Sequence, residues 1–405
     1  MDSNNKELSI KTNKITVRID LPASKSISNR ALILNALSYS PYDIQNLSEC
    51  DDTRVTLQAL DSNDTTFDIG AAGTAMRFLT AFLAKTVGEW VITGSERMKQ
   101  RPIKVLVDAL NFLGARIDYI EKEGYPPLRI YGSALTGGDI HLDGSVSSQY
   151  ISALMMIAPL MQKGLSITLE GRIISVPYIE MTALMMQEFG VNVEFNKNTI
   201  HIEPQDYQPI DYLVESDWSA ASYWYEILSL VGKGEVFLHG LLQNSYQGDS
   251  IVANLFELLG IKTTYMSQGV LLTLTEVSTR EMICDFSDQP DLTQTFAVTC
   301  CLKGISFVFS GLQSLKIKET DRIAALITEL RKLGFVLKEP EEGTIEWTGE
   351  ICEPAEQIVI ETYDDHRMAM AFAPAALFHS ITIVHPEVVS KSYPNFWKDL
   401  EKIIQ

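Results

Sequence analysis

The feature that most constrains this 405-residue chain is a repeated pairing of helices and strands. A helix-like run capped by Ser, Thr or Asn leads into a short alternating strand, and a second amphipathic helix then ends on a glycine. Four such glycines, 76, 70 and 74 residues apart, are Gly114, Gly190, Gly260 and Gly334. This spacing is too long for a solenoid repeat but fits a βαβαββ unit, although α/β proteins can also look repetitive by chance. We therefore predict an α/β protein built from six such units.

The predicted helices divide into two sets of three units. The first helix of each unit is predicted at 28–37, 74–85, 148–161, 219–230, 292–302 and 366–378. Four second helices are predicted at 102–113, 178–189, 249–259 and 321–333. Between the third and fourth units, the segment 203–211 contains two prolines and has poor periodicity, which is typical of a domain boundary.

The overall charge restricts the partners of the chain. A formal net charge of −19 argues against non-specific binding to nucleic acid or to an anionic membrane surface. The five cysteines have neither C-x-x-C spacing nor a disulfide framework, and the six histidines form no pair at metal-ligand spacing. The longest apolar run, 151–161, is too short to span a bilayer, and the polar N-terminus carries no signal peptide. We expect a cytoplasmic protein with no metal and no cofactor.

Cations concentrate at turns beside predicted helix starts. In the segment Leu21–Arg30, Lys25 and Arg30 lie among small hydroxyl residues between a strand-like run and a helix. Such a turn can bind an anion through its backbone N–H groups and cations, but Ser28 could equally be an ordinary helix N-cap. Comparable turns occur at 70–77, 94–102, 144–149, 316–322, 364–367 and 390–394. Each alone could be a cap, a solvated loop or a surface ion-pair ladder, and the recurrence favours anion binding.

Six short motifs in a fixed order identify a family. They are Leu-Pro-x-Ser-Lys-Ser-x-Ser-Asn-Arg, Gly-Thr-Ala-Met-Arg, Arg-Met-x-x-Arg-Pro-Ile, Ser-x-Ser-Ser-Gln, Lys-Glu-Thr-Asp-Arg and Asp-His-Arg-Met-Ala-Met. From about residue 21 to 397 the chain resembles the EPSP synthase family of 3-phosphoshikimate 1-carboxyvinyltransferases. The resemblance implies two domains of three βαβαββ units each, an inside-out α/β barrel, joined by a double-crossover hinge. The implied domains are residues 22–216 and residues 1–21 with 217–405.

The reaction implied by the resemblance joins two small polyanions. The carboxyvinyl group of phosphoenolpyruvate moves to the 5-hydroxyl of shikimate 3-phosphate by addition and elimination through a tetrahedral ketal phosphate, and phosphate is released. Each substrate carries a carboxylate and a phosphate, so fixed cations are needed to hold them together in a site of low dielectric. This need would explain why an acidic protein keeps Lys and Arg at these turns.

The resemblance also implies roles for individual residues. Asp291 would take the 5-hydroxyl proton, and Glu319 with Lys25 would manage the proton at the methylene carbon. The residues implied for phosphoenolpyruvate are Lys25, Gly73, Arg101, Gln149, Arg322, Arg367 and Lys391. Those implied for shikimate 3-phosphate are Lys25, Ser26, Arg30, Ser147, Ser148, Gln149, Ser175, Asp291, Ser314 and Lys318. A monomer is the expected state, and the herbicide glyphosate, which is longer than phosphoenolpyruvate, would compete for its site.

The chain departs from the family pattern at three positions. Ala71 and Ser314 stand where asparagines are usual, and Phe78 stands where a proline is usual. These changes bear on affinity and inhibitor response rather than on the reaction. One rival is the carboxyvinyltransferase of the same fold that acts on UDP-N-acetylglucosamine, which needs a loop cysteine, whereas Cys50 is far from the 97–101 loop. The other is a non-catalytic scaffold of repeats, which gives no reason for Asp291, Glu319 and Lys25 to accompany the basic turns.

Overall fold

Helices and strands alternate along the chain as the repeat predicts. The computed structural model describes residues 5–404. Within that range the α-helices are α1 (Lys25–Leu37), α2 (Asp51–Asp61), α3 (Gly73–Lys85), α4 (Lys104–Phe112), α5 (Ser148–Ile157), α6 (Val176–Glu188), α7 (Trp218–Val231), α8 (Val252–Leu258), α9 (Thr293–Lys303), α10 (Arg322–Lys332), α11 (His366–Phe372) and α12 (Phe396–Glu401). The strands are β1 (Asn5–Leu8), β2 (Ile15–Asp20), β3 (Thr66–Asp68), β4 (Gly88–Thr93), β5 (Arg116–Tyr119), β6 (Leu128–Gly132), β7 (Gly138–Asp143), β8 (Leu165–Glu170), β9 (Glu194–Asn196), β10 (Thr199–Ile202), β11 (Gly234–His239), β12 (Ile261–Met266), β13 (Gly269–Leu274), β14 (Glu281–Asp285), β15 (Ser306–Ser310), β16 (Lys338–Glu341), β17 (Thr344–Trp347), β18 (Ile358–Ile360) and β19 (Ile381–Val384).

The chain packs into two compact units, each of which we describe by itself. The inserted unit is Ser24–Val214, and the terminal unit comprises the chain up to Ala23 and from Glu215 onward. These divisions lie within two residues of the bounds implied by the resemblance, and the assignment of domains stays a prediction. Residues 1–4 and 405, which the implied bounds include, lie outside the described residues.

The sheets repeat one strand order. In the inserted unit the orders are β3-β4-β6-β5 and β7-β8-β10-β9, and in the terminal unit β2-β11-β13-β12 and β14-β15-β17-β16. In each of the four, the first pair of strands is parallel and the other two pairs are antiparallel. A fifth sheet, β18-β19-β1, has only three strands, and again its first pair is parallel and its next pair is antiparallel. The shared order supports duplication of one βαβαββ unit.

The two N-terminal strands both belong to the terminal unit. β2 pairs in parallel with β11, and β1 pairs antiparallel with β19. The unit that begins with β2 therefore continues at α7, after the whole inserted unit. The first predicted unit, by contrast, supplies α1 and α2, while its strand pairing within the inserted unit is reduced to a bridge between Gln45 and Leu213.

Each unit is built around helices that are buried on every side. In the inserted unit, every residue of α5 from Tyr150 to Ile157 is buried, and α5 packs against α3 and α6. In the terminal unit, α9 is buried from Thr293 to Cys301, and its Phe296 ring lies 4.6 Å from Phe256 and 5.5 Å from Phe286. A helix that is buried all round needs sheets or helices on all sides, which the repeated units supply. The residues just before and within the first turns of these helices carry the predicted site.

Three predicted features are wrong in detail. Helix α1 begins at Lys25, with Ser24 as its N-cap, whereas Ser28 lies inside the helix and accepts a hydrogen bond from the backbone of Ser48 at 3.0 Å. The predicted helices 148–161 and 366–378 end early because Pro159 and Pro374 cannot supply an N–H, and each continues as a 3-10 turn. The segment 203–211 ends three residues before the division between the two units, which follows Val214.

None of the helices between residues 5 and 404 is both long and apolar enough to cross a membrane.

Candidate active site

In the inserted unit, Arg30 is held by the protein itself. Its side chain is 2 % exposed, and Nε donates to Thr182 Oγ1 at 2.7 Å. Nη2 donates to Ser152 Oγ and to the Tyr178 carbonyl, and Nη1 donates to the Ser26 carbonyl at 2.9 Å. Burial lowers the pKa of Arg30 to about 10, partly offset by Tyr178. These bonds fix the first turn of α1 against α5 and α6, and the predicted contact of Arg30 with a substrate carboxylate stays a prediction.

Arg101 is a buried cation that has no hydrogen-bond acceptor for its guanidinium among residues 5–404. The residue is 8 % exposed, and its Nε is fully buried without a partner. Its guanidinium lies against Gly73, the first residue of α3, because a Cβ built on that glycine would be 2.7 Å from Nη1. A buried charge without a counter-ion is costly, so this arrangement favours an anion that comes from outside the protein.

Serines precede or begin the buried helices. Ser147 caps α5 by accepting from the Gln149 N–H, and the Gln149 amide donates to Thr74 Oγ1 at 3.2 Å, which joins the N-termini of α5 and α3. Ser148 is the first residue of α5, and Ser175 precedes α6 in a left-handed conformation with φ 55°. Helix N-termini carry partial positive charge and unpaired N–H groups, which suits a phosphate.

In the terminal unit, Arg322 binds three carboxylates. Its guanidinium donates to both oxygens of Asp365 at 2.6 and 3.3 Å, to Asp291 Oδ1 at 2.8 Å and to Glu319 Oε2 at 3.1 Å. The side chain is 2 % exposed. Burial alone would lower the pKa of Arg322, but the three carboxylates outweigh it and the net pKa is raised. Arg322 is therefore a permanent cation whose position is fixed mainly by buried Asp365.

Asp291 bridges the two arginines predicted to bind phosphoenolpyruvate. Oδ1 accepts from Arg322, and Oδ2 accepts from Arg367 Nη2 at 2.7 Å. Arg367 also donates to the Asp291 carbonyl at 3.3 Å, and its own backbone N–H is capped by Asp365. The structure thus brings Asp291, Glu319, Arg322 and Arg367 into one cluster, in which a carboxylate of the protein occupies the arginines.

The other predicted residues of the terminal unit lie on nearby turns. Lys391 Nζ donates to the Asp364 carbonyl at 2.5 Å, immediately before Asp365 of the arginine cluster. Ser314 lies in the 3-10 turn Gln313–Ile317, and Lys318 follows it and precedes Glu319.

In the inserted unit, the predicted residue Lys25 is the first residue of α1, and Ser26 follows it.

Sequence reasoning missed two residues that organise these clusters. Asp365 is fully buried, caps α11 and pairs with Arg322, while Thr74 receives the Gln149 amide. An Asp directly before a predicted helix is an N-cap signal that could have indicated Asp365, whereas its pairing with Arg322, 43 residues away, could not be read from the sequence. Among residues 5–404, no group of three or more His, Cys, Asp or Glu side chains could hold a metal ion.

Solved structures share this fold over nearly the full chain. Two structures of EPSP synthase from Acinetobacter baumannii superpose with TM-scores of 0.78 and 0.76. The first covers 98 % of this chain and 98 % of its own chain at 22 % identity, and the second covers 99 % and 98 % at 21 % identity. At that identity the likeness concerns the fold alone.

Relatives of much higher identity specify the family. The chain is 53 % identical over 391 residues to the 3-phosphoshikimate 1-carboxyvinyltransferase of Bacteroides fragilis, covering 96 % of this chain and 95 % of that protein. It is 38 % identical over 423 residues to the enzyme of that name from Histophilus somni, covering 96 % and 97 %. The family model for EPSP synthase (3-phosphoshikimate 1-carboxyvinyltransferase) matches residues 10–63 and 58–400. The chain therefore belongs to the EPSP synthase family.

Proposed function

We propose that this protein transfers the carboxyvinyl group of phosphoenolpyruvate to the 5-hydroxyl of shikimate 3-phosphate and releases phosphate. The observation that carries the proposal is the buried guanidinium of Arg101, which has no acceptor among the described residues and lies against a glycine. In a chain of net charge −19, such a cation is conspicuous. It suits a small anion that approaches the backbone closely at Gly73.

Electrostatics make the cationic turns necessary for this reaction. Two unit negative charges 4 Å apart repel by about 4 kcal/mol at an effective dielectric constant of 20. Each charge-assisted hydrogen bond from Lys or Arg stabilises a bound anion by roughly 1.5–3 kcal/mol. Cations are therefore proposed for phosphoenolpyruvate (Lys25, Arg101, Arg322, Arg367 and Lys391), and hydroxyl groups with Lys318 for the shikimate phosphate.

In the addition step, a proton moves from the substrate hydroxyl to Asp291. The hydroxyl oxygen bonds to C2 of phosphoenolpyruvate, and C3 takes up a proton carried by Glu319 or Lys25, which converts the methylene to a methyl group. In the elimination step, C3 returns a proton, the C2–C3 double bond re-forms and the C2–O bond to phosphate breaks. Asp291 passes the hydroxyl proton to the departing phosphate and is regenerated, so the proton numbers balance, with one phosphate released for each carboxyvinyl group transferred.

The pairing of Asp291 with both arginines has a consequence for the order of events. A substrate carboxylate that binds Arg322 and Arg367 must displace Asp291 from them. Asp291 loses two cationic partners as it does so, and its proton affinity rises. We infer that binding of phosphoenolpyruvate turns a neutralised carboxylate into a usable base.

The test is a measurement of phosphate release from the purified protein. We expect release with phosphoenolpyruvate and shikimate 3-phosphate together, and none with either alone. Turnover with UDP-N-acetylglucosamine in place of shikimate 3-phosphate would contradict the proposal.

The state of Cys50 argues against the rival transferase that needs a loop cysteine. Cys50 is the one cysteine in the sequence of the inserted unit, and its side chain is fully buried. Burial raises the pKa of its thiol, which does not suit a reactive loop residue.

We propose further that the active protein is a monomer in the cytoplasm and needs no cofactor. Size-exclusion chromatography with light scattering tests the first point, since one chain has a mass of 45.2 kDa.

A further inference from the structure

A buried carboxyl group that has no assigned role lies in the terminal unit, beside the start of α7. Asp249 is 3 % exposed and belongs to the 3-10 turn Gly248–Ile251, which precedes α8. Its Oδ2 accepts a short hydrogen bond from the hydroxyl of Ser219, in the first turn of α7. Its Oδ1 is fully buried and has no hydrogen-bond partner among residues 5–404. A buried carboxyl group satisfied on one oxygen only calls for an explanation.

The turn that carries Asp249 is fastened to the start of α7. The Trp218 N–H donates to Gln247 Oε1 at 3.0 Å, and Gln247 Nε2 donates to the Ser216 carbonyl at 2.8 Å. The same helix also contacts the 3-10 turn Pro290–Leu292, which carries Asp291. Asp249 is therefore held in place relative to Asp291 through one shared helix.

The charged groups that face Asp249 come from three elements. They are Asp291 on the turn before α9, Arg367 on α11 and Asp217 at the start of α7, while Glu257 on α8 is exposed. Burial raises the pKa of Asp249 to about 7, and Asp291 is the neighbouring charge that raises it most. Arg367 and the Ser219 hydroxyl act in the opposite direction. Such an interaction is mutual, so an ionised Asp249 raises the proton affinity of Asp291 by the same amount.

We propose that Asp249 is a positioning residue for the carboxyvinyl transfer and acts through Asp291, whose strength as a base it increases when ionised. The inference rests on the proposed function. Arg322 and Arg367 weaken Asp291 as a base, and the negative charge of an ionised Asp249 opposes them. Because Asp249 titrates near neutrality, the effect switches on as the pH rises through about 7.

The variant that removes the charge but keeps the shape is Asp249→Asn. We expect the ratio of wild-type to variant kcat/KM for shikimate 3-phosphate to be about 1 at pH 5.5, where Asp249 is protonated. At pH 8.5 it should reach roughly 3- to 10-fold, for a coupling of one to two pKa units and a Brønsted slope of about one half. Taking the ratio at each pH cancels the ionisation of the substrates themselves. A merely structural role would give a ratio that does not change with pH.

A second variant, Ser219→Ala, removes the donor to Asp249 and keeps its charge. Since that hydrogen bond lowers the pKa of Asp249, its loss should move the rise in kcat/KM to higher pH. Glu257→Gln, an exposed change on α8, is the matched control and should follow the wild-type profile. Thermal unfolding supplies an independent readout. The melting temperature of Asp249→Asn relative to wild type should increase from pH 5 to about pH 7 and then level off, because over this range the folded state holds the Asp249 proton that the unfolded chain has already released.

The outcomes separate this inference from the proposed function. A wild-type protein that releases no phosphate from the two substrates overturns the proposed function. An active wild type, with an Asp249→Asn profile parallel to it at all pH values, overturns the role of Asp249 alone. If Asp249→Asn does not fold, the Ser219→Ala profile decides, and an unchanged midpoint refutes the inference.

Discussion

Replacing Gly73 by alanine tests the proposed anion site of the inserted unit by adding one methyl group beside Arg101. The new Cβ would lie 2.7 Å from Arg101 Nη1, 2.9 Å from Nη2 and 3.1 Å from Cζ. Favourable contact between non-bonded heavy atoms begins near 3.5 Å, so the guanidinium must move by about 0.8 Å. It is the far end of a flexible side chain and can yield, so the cost should fall on ligand binding rather than on folding.

The expected loss follows from the bonds that Arg101 would make. A charge-assisted hydrogen bond is worth roughly 1.5–3 kcal/mol, and losing about half of one costs about 1 kcal/mol, or roughly a five-fold rise in the KM for phosphoenolpyruvate. Glyphosate is longer and fills more of the same site, so the overpacking of ~1–3 kcal/mol should raise its inhibition constant roughly 5- to 150-fold. The assay is a pair of inhibition curves, wild type against Gly73→Ala, at matched saturation with phosphoenolpyruvate.

Two controls make the reasoning refutable. Gly70→Ala is in the same loop, with no atom within 4 Å of the new Cβ, but its φ of +55° strains an alanine. It should therefore lower stability by ~1–2 kcal/mol and leave the KM almost unchanged, the reverse of Gly73→Ala. In an Arg101→Ala background, the effect of Gly73→Ala on KM should disappear. An equal effect in that background, or coincident inhibition curves when wild type is inhibited, would refute a contact through Arg101.

Two further predictions concern the proton carrier and the buried ion pair. Lys25→Met should lower kcat/KM by several orders of magnitude with little change in melting temperature, since general acid–base catalysis contributes ~10²–10⁴-fold; a variant that keeps more than about a tenth of wild-type activity contradicts the role. Asp365→Asn keeps a cap for α11 but leaves Arg322 with less compensation in a buried site, so urea unfolding should show a loss of ~3–5 kcal/mol. A loss below about 1 kcal/mol would show that Asp291 and Glu319 suffice to hold Arg322.

The sequence predicted the repeat and most of its helices because local signals determine them. The alternation of helix-like runs with short strands and the glycine after α10 can be recognised from periodicity and capping. The start of α1 was missed by three residues because Lys25 and Ser26 interrupt the apolar pattern, so that Ser28 looked like the cap. The missing strands of the first unit could not be foreseen, since strand pairing depends on partners distant in sequence.

The motifs predicted which residues belong to the site, but they did not predict which of those residues contact one another. Asp291 is 31 residues from Arg322 and 76 from Arg367, and only the fold brings the three together. The same holds for Gly73 and Arg101, which are close enough that a side chain at residue 73 would displace the Arg101 guanidinium. Asp249 gave no sequence signal, because its significance depends on burial and on a missing partner for one oxygen.

The most direct test of the proposed mechanism is to run the reaction in deuterium oxide and examine the product by proton NMR. Addition and elimination pass through a methyl group at C3 that takes up one deuteron from Glu319 or Lys25 and then loses any one of its hydrogens. The vinyl methylene of the product should therefore contain deuterium, while one phosphate is released per carboxyvinyl group transferred. A product formed with phosphate release but with no deuterium in the methylene would contradict addition–elimination and the proton-carrying roles proposed for these residues.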